Sequence, residues 1–439
     1  MSTGTSDVDR LPPVAADEPR PDGPREALGQ LVVRTVAVAD PGPLLDLLPR
    51  EEPLAWVRRG EGLVGWGCAA QLRSTGADRF ADASAWWADL VGAAVVRDEV
   101  RLPGSGLVAF GSFAFADEPG DSVLTVPEVV VGRKGDTTWI TTISRGELLP
   151  PPALAATASP QPPTDVVFAD AHLDGERWQG VVAEAVGRIS SGELEKVVLA
   201  RDLLATSTTD VDVRWPLQRL AEQYPMCWTF HVGGMFGATP EMLVRRERGL
   251  ITSRVLAGTI RRTGNDERDL ALAATLARSS KDLEEHEYAV RSVADALAPH
   301  CTSMNVPEAP FVLHLPNVMH LASDVAGVVP DTDPVSALEL AAALHPSAAV
   351  GGTPTPVAQA LITQIEGMDR GRYAGPVGWL DADGDGEWGI ALRSAEVGED
   401  RRTVRLFAGC GIVADSDPAS ELAEAQAKFV PVRDALTSG

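Results

Sequence analysis

The chain has 439 residues, 44% of them hydrophobic, which is enough for two or three domains or for one large α/β unit with a sizeable core. A formal net charge of -24 argues against nucleic acid and anionic membrane as partners, because both demand a basic face; an anionic small substrate would need local cations or a metal ion to hold it. Cys68, Cys227, Cys301 and Cys410 stand far apart, fit neither a CxxC site nor a disulfide framework, and point to a reduced, cytoplasmic setting.

In chain order, residues 1–30 are rich in Pro, Asp and Glu, lack the apolar core of a signal peptide and are expected to form a disordered tail. No later run is long enough to span a membrane. Residues 31–164 read as a β-rich first half, with strands predicted at 31–37, 54–57, 106–115 and 138–143, a helix at 82–95, and a proline-rich connector from Pro150 to Pro163. The second region, 165–439, opens with an amphipathic helix at 174–191. Strands are then predicted at 196–204, 228–232, 242–246 and 250–257, and helices at 266–298, 334–344, 356–366 and 419–436, with strands at 375–380, 387–394 and 403–413 between them. The pattern is α/β or α+β with many antiparallel neighbours.

Only four of the 38 basic residues are lysines, at positions 134, 196, 281 and 428. Arginine pairs with anions as well as lysine does but cannot give up its proton near neutrality, so a retained lysine marks a position where arginine fails. In the run from Leu194 to Arg201, alternation places Lys196, Val198 and Ala200 on one strand face. Burial there would favour a neutral amine able to act as general base; the alternative is a lysine at a strand entrance reaching back to water. Glu241 follows a Thr239-Pro240 turn at the head of an apolar strand, where it is either an exposed turn residue or a carboxyl kept protonated as a general acid. Asp282 and Glu285 flank an apolar helical stripe of Leu283, Val290, Val293 and Leu297, and Glu421, Glu424 and Lys428 share a face of the last helix. Either helix alone reads as a solvated charged face, but two helices with paired carboxylates suit a hard cation such as Mg²⁺. The glycine-rich segment from His345 to Pro354 leads into a helix and can aim N–H groups at a carboxylate, although His345 by itself reads as a structural hydrogen-bonder. Gly409 and Gly411 allow close backbone approach to a ligand. The run Asp381 to Gly386 copies the start of an EF-hand loop, but Leu392 stands where the closing glutamate should be, and the segment is expected to be a hairpin turn.

Taken in order, Lys-Val-Val-Leu-Ala-Arg from Lys196, Thr-Pro-Glu from Thr239, Leu-Ala-Gly-Thr from Leu256, Lys-Asp-x-x-Glu-His-Glu from Lys281, His-Pro-x-x-Ala-Val-Gly-Gly from His345 and Ala-Gly-x-Gly-Ile-Val from Ala408 resemble the chorismate-utilising enzymes. These comprise isochorismate synthases, salicylate synthases and the synthase components for anthranilate and aminodeoxychorismate. The resemblance covers roughly residues 165–436 and implies a large sandwich of antiparallel-rich sheets with outer helices and an active site in the central cleft. It implies Glu285 and Glu424 as Mg²⁺ ligands, with Asp282 and Glu421 as their water-mediated partners. It further implies substrate contacts from Gly258, Thr259, His345, Ala349, Arg393, Gly411 and Lys428. Cys410 replaces the alanine usual between the two glycines.

Ammonia-adding members usually carry glutamine where this chain has Lys196. The resemblance therefore implies water addition at C2 of chorismate with Lys196 as base, Glu241 protonating the departing C4 hydroxyl, and isochorismate as product. Ala349, where salicylate and anthranilate enzymes tend to carry threonine, implies that the reaction stops there, with salicylate synthase the alternative. The expected enzyme is an Mg²⁺-dependent monomer with chorismate as its small-molecule substrate and no glutaminase subunit, serving menaquinone or catecholate siderophore synthesis.

Overall fold

Two large sheets face each other, and each draws its strands from both sides of residue 165. The computed structural model describes residues 30–315, 318–330, 332 and 334–437; the expected tail over residues 1–29 and the side chains of Lys281 and Glu285 lie outside the described residues. In the 13-stranded sheet, strand Leu54–Arg58 pairs with strand Trp228–Val232, placing Trp56 opposite Phe230. In the 10-stranded sheet, strand Val108–Ser112 pairs with strand Pro376–Asp381. Among the described residues, pairing is antiparallel except where Leu31–Val38 meets Val95–Asp98. The helices lie outside, and the core fills the space between the sheets with large side chains such as Trp56, Trp139, Phe230 and Trp388.

Two long strands, one from each sheet, carry much of the site. Strand Lys196–Thr206 pairs antiparallel with Thr403–Ile412 from Val197 to Thr206. Residues Val197 to Asp202 are buried on both strand faces, because helix Gly175–Ser190 covers the outer one and Trp178 Nε1 donates to Ala200 O at 2.9 Å. Strand Leu250–Arg261 pairs with Val318–Val328, and the register slips between Ala257 and Thr259. Gly258 takes up that bulge at a φ of 77°, and a Cβ there would stand 3.1 Å from Asp282 Cβ, so only glycine fits.

Several elements depart from the sequence expectations. The helix expected over 266–298 is two, Asp266–Leu276 and Ser280–Leu297. Ser279 caps the second by accepting the Asp282 N–H at 3.3 Å, which sets Asp282 in a first helical turn where the helix dipole favours a carboxylate. The strand expected over 387–394 ends at Ile390, and Arg393 turns the chain at a φ of 49° before strand Ser394–Val397 begins. Helix Arg214–Gln223 and strand Val318–Val328 were not anticipated. The EF-hand-like run is a hairpin turn, as expected: Asp381 Oδ1 accepts the N–H groups of Asp383 and Asp385, each at 3.0 Å, and holds the loop closed.

Candidate active site

A cavity of about 270 Å³ opens between the two sheets, and most of the residues singled out in the sequence line it. Lys196 enters at the first position of its strand, where it pairs with Thr353. It is half-buried, so the burial expected of it is met in part. The neighbouring Gly352 passes so close that a Cβ would lie 2.3 Å from Lys196 O, which explains a glycine at that point of the His345–Pro354 segment. Ala349 and Val350 from the same segment line the wall beside Lys196.

Glu241 is a strongly perturbed carboxyl of the cavity. Strand Met235–Thr239 ends at the Thr239-Pro240 turn, Thr239 Oγ1 accepts the Glu241 N–H at 3.2 Å, and the side chain enters a wall that leaves it 6% exposed. Burial raises its pKa from 4.5 to about 8, outweighing the downward pull of Lys196, Arg393 and Lys428. Of the two sequence readings for Glu241, the structure excludes the exposed turn residue: the carboxyl is buried on the cavity wall.

Opposite lie the acidic helices. Helix Pro418–Leu436 starts at the Asp417 cap and presents Glu421, Glu424 and Lys428 to the cavity. Glu421 Oε1 accepts from Ser416 Oγ at 2.8 Å, and Glu424 pairs with Lys428 at 2.7 Å. Burial pushes the Glu424 carboxyl up, but Lys428, Arg393 and Arg261 together hold it below its ordinary value. Lys428 also donates to Gly409 O at 2.8 Å, which uses the open backbone beside Gly409 to fix the ammonium. Glu421, Glu424 and Cys410 offer ligand atoms all within 4.8 Å of one another. Burial raises the Cys410 thiol, which donates to Glu421 O at 3.3 Å, so the donors left for a cation are the carboxylates. Asp282 joins the same wall, whereas the side chain of Glu285 lies outside the described residues. A set of carboxylate oxygens fits a hard cation such as Mg²⁺.

Gly258, Thr259, Arg393 and Gly411 also line the cavity. His345 does not. It is half-buried outside the cavity lining, with Nε2 2.9 Å from Phe115 O and the ring 5.9 Å from Phe80 and 5.7 Å from Phe115. Burial lowers its pKa to about 4, so the ring that anchors this turn is neutral, and the structure places it outside the lining expected of a substrate contact. The sequence reasoning missed His320. Its Nδ1 lies 3.0 Å from Thr259 Oγ1, and its buried Nε2 has no hydrogen-bond partner among the described residues. Burial, with Arg393 and Lys428 nearby, lowers its pKa to about 3. A neutral imidazole on the cavity wall offers a polar contact without charge.

Fold and cavity together define an enzyme site for a small polyanion, with an acid, an amine and a set of hard oxygen donors facing one space. The chain belongs to the chorismate binding enzyme family, whose model matches residues 48–437. It is 41% identical over 265 residues to the isochorismate synthase DhbC of Bacillus subtilis, covering 58% of this chain and 66% of that protein, just under two thirds of its length. It is 34% identical over 417 residues to the salicylate biosynthesis isochorismate synthase of Pseudomonas aeruginosa, covering 89% and 86% of the two chains. Among solved structures, DhbC from Bacillus anthracis, described as a 2,3-dihydroxybenzoate-specific isochorismate synthase, superposes with a TM-score of 0.74 at 32% identity over 90% of this chain and 98% of that one.

Proposed function

We propose that the chain is an isochorismate synthase, converting chorismate reversibly to isochorismate by adding water at C2 and expelling the C4 hydroxyl. The observation that carries this is Lys196 and the buried Glu241, whose pKa is raised to about 8, lining one cavity together with Arg393, Lys428 and the carboxylates. Arg393 and Lys428 bind and orient substrate carboxylates. Lys196 accepts a proton from the attacking water as its oxygen bonds to C2, and Glu241 donates its proton to the C4 oxygen as that bond breaks. One water enters and one leaves, so the reaction is an isomerisation. The next turnover needs the proton returned from Lys196 to Glu241 through solvent. Glu424 and, by the family resemblance, Glu285 would hold Mg²⁺, with Asp282 and Glu421 as water-mediated partners; when bound, the ion supplies charge neutralisation for a substrate carboxylate.

Relatives named as isochorismate synthases support the assignment, and Lys196 supports water over ammonia as nucleophile. The enzyme then needs no glutaminase subunit and acts as a monomer. Incubation of the purified chain with chorismate and Mg²⁺ tests the proposal by product analysis. Isochorismate is expected, and its formation should stop when the metal is chelated. Accumulation of salicylate with pyruvate, or of an aminated product from ammonia, would overturn it.

A further inference from the structure

The strand that begins at Lys196 has an incomplete neighbour on one side. Along one edge it pairs with Thr403–Ile412 from Val197 to Thr206, but along the other only Lys196 and Val197 meet the short strand Gly352–Thr353, and strand Val167–Asp170 pairs again only from Leu203. Between those two stretches the backbone groups facing that edge need partners, since a buried unpaired N–H or C=O costs about as much as a lost hydrogen bond. Gly351 O takes the Val198 N–H and Trp178 Nε1 serves Ala200 O, and an ion pair supplies partners for Val198 O and the Ala200 N–H. Arg370 Nε donates to Glu366 Oε1 at 2.7 Å and Arg370 Nη2 to Glu366 Oε2 at 2.6 Å, with the side chains 3% and 1% exposed. Arg370 Nη2 also donates to Val198 O at 2.7 Å, Arg370 Nη1 to Val350 O at 3.1 Å, and Glu366 Oε2 accepts the Ala200 N–H at 3.0 Å. The guanidinium lies 4.2 Å from the centroid of the Phe115 ring, which holds it flat.

The geometry points to Glu366 as a positioning residue: through Arg370 it locks the strand carrying Lys196 to the turn carrying Ala349, and so sets the distance between the amine and the far cavity wall. This rests on the isochorismate synthase reading, since it presumes that Lys196 does chemistry. Arg370 lines the cavity, whereas Glu366 is absent from the lining and acts through Arg370 and through its own bond to the Ala200 N–H. A buried pair is a costly way to fill space, because both charges lose their hydration. An apolar plug of the same volume would leave Val198 O, Ala200 N–H and Val350 O unpaired. The pair reaches all three, and the fork of an arginine can serve two carbonyls and a carboxylate together where a lysine cannot.

Glu366→Gln and Arg370→Lys in the full chain test this. Each should lower kcat on the order of 100-fold, as expected for a misplacement of about 1 Å, while KM for chorismate changes less than about threefold. Backbone amide exchange should quicken over residues 196–200 and 347–352 and stay unchanged over 108–112 and 122–126 in the opposite sheet. A kcat within about threefold of wild type, or a loss that follows the folded fraction with exchange quickened everywhere, would overturn the positioning role. Should one variant not fold, the other carries the same readouts. If the wild type leaves chorismate untouched, the functional reading fails separately. The exchange pattern then decides, local quickening supporting the lock and an unchanged or uniform pattern refuting it.

Discussion

Replacing Glu241 by glutamine isolates what it takes to keep a carboxylic acid in the cavity wall. The group has a pKa of about 8 in the folded chain against 4.5 as its ordinary value, with burial as the main cause. Unfolded chains therefore bind fewer protons at this site than folded ones across the interval between the two values, and stability falls as pH rises through it. Below pH 4.5 both states are protonated and nothing is lost; the penalty grows from there to pH 8 and then levels off. At about 1.36 kcal/mol per pH unit it comes to about 1 kcal/mol at pH 5 and about 3 kcal/mol at pH 7. Glutamine cannot ionise, so Glu241→Gln should be more stable than wild type by these amounts in urea unfolding at the two pH values. It should also lose about 10²- to 10⁴-fold in kcat, because no proton is available for the C4 oxygen. Wild-type kcat should decline as pH rises through about 8. If the variant's advantage were the same at pH 5 and pH 7, or if the variant turned over chorismate at the wild-type rate, the protonated-acid assignment would fail.

Lys196→Arg should cut kcat by about 10²- to 10⁴-fold in the same assay, since arginine keeps the charge but cannot accept a proton; retained turnover would remove Lys196 as base. Ala349→Thr should shift part of the product toward salicylate and pyruvate, measured by chromatography after complete conversion, and an unaltered product would show that this wall residue does not set the outcome. His345→Phe leaves Phe115 O without its partner and should lower stability by about 1 to 3 kcal/mol with KM for chorismate unchanged. A raised KM at wild-type stability would return His345 to the substrate contacts.

Sequence reasoning located the site where local chemistry and periodicity agreed. The Thr239-Pro240 turn forces Glu241 to the head of an apolar strand, and helical spacing puts Glu421, Glu424 and Lys428 on one face whatever surrounds them. What remained hidden depends on partners distant in sequence. Strand Val318–Val328 carries His320, Ser323 and Asp324 where a clean alternation would place apolar residues, and its pairing with Leu250–Arg261 explains them: His320 meets Thr259, Ser323 meets His286 at 2.8 Å, and Asp324 meets Arg254. The break at Ser279 was readable, because a serine three residues ahead of Asp282 is a capping signal, but continuous helical periodicity across 266–298 masked it. For His345 the residues alone suggested a structural hydrogen-bonder, and its place between Phe80 and Phe115 agrees with that reading; the substrate contact came only with the family resemblance.

The way the two sheets share strands limits how this chain can be divided. Leu54–Arg58 lies against Trp228–Val232 in one sheet and Val108–Ser112 against Pro376–Asp381 in the other, so a cut at the proline-rich connector would expose long, largely apolar strand edges on both fragments. Such edges are templates for pairing with other chains, and either fragment expressed alone should aggregate. Every motif residue falls in the second fragment, yet the scaffold that keeps them in register belongs equally to the first. Engineering by domain exchange would have to respect the sheets and not the linker.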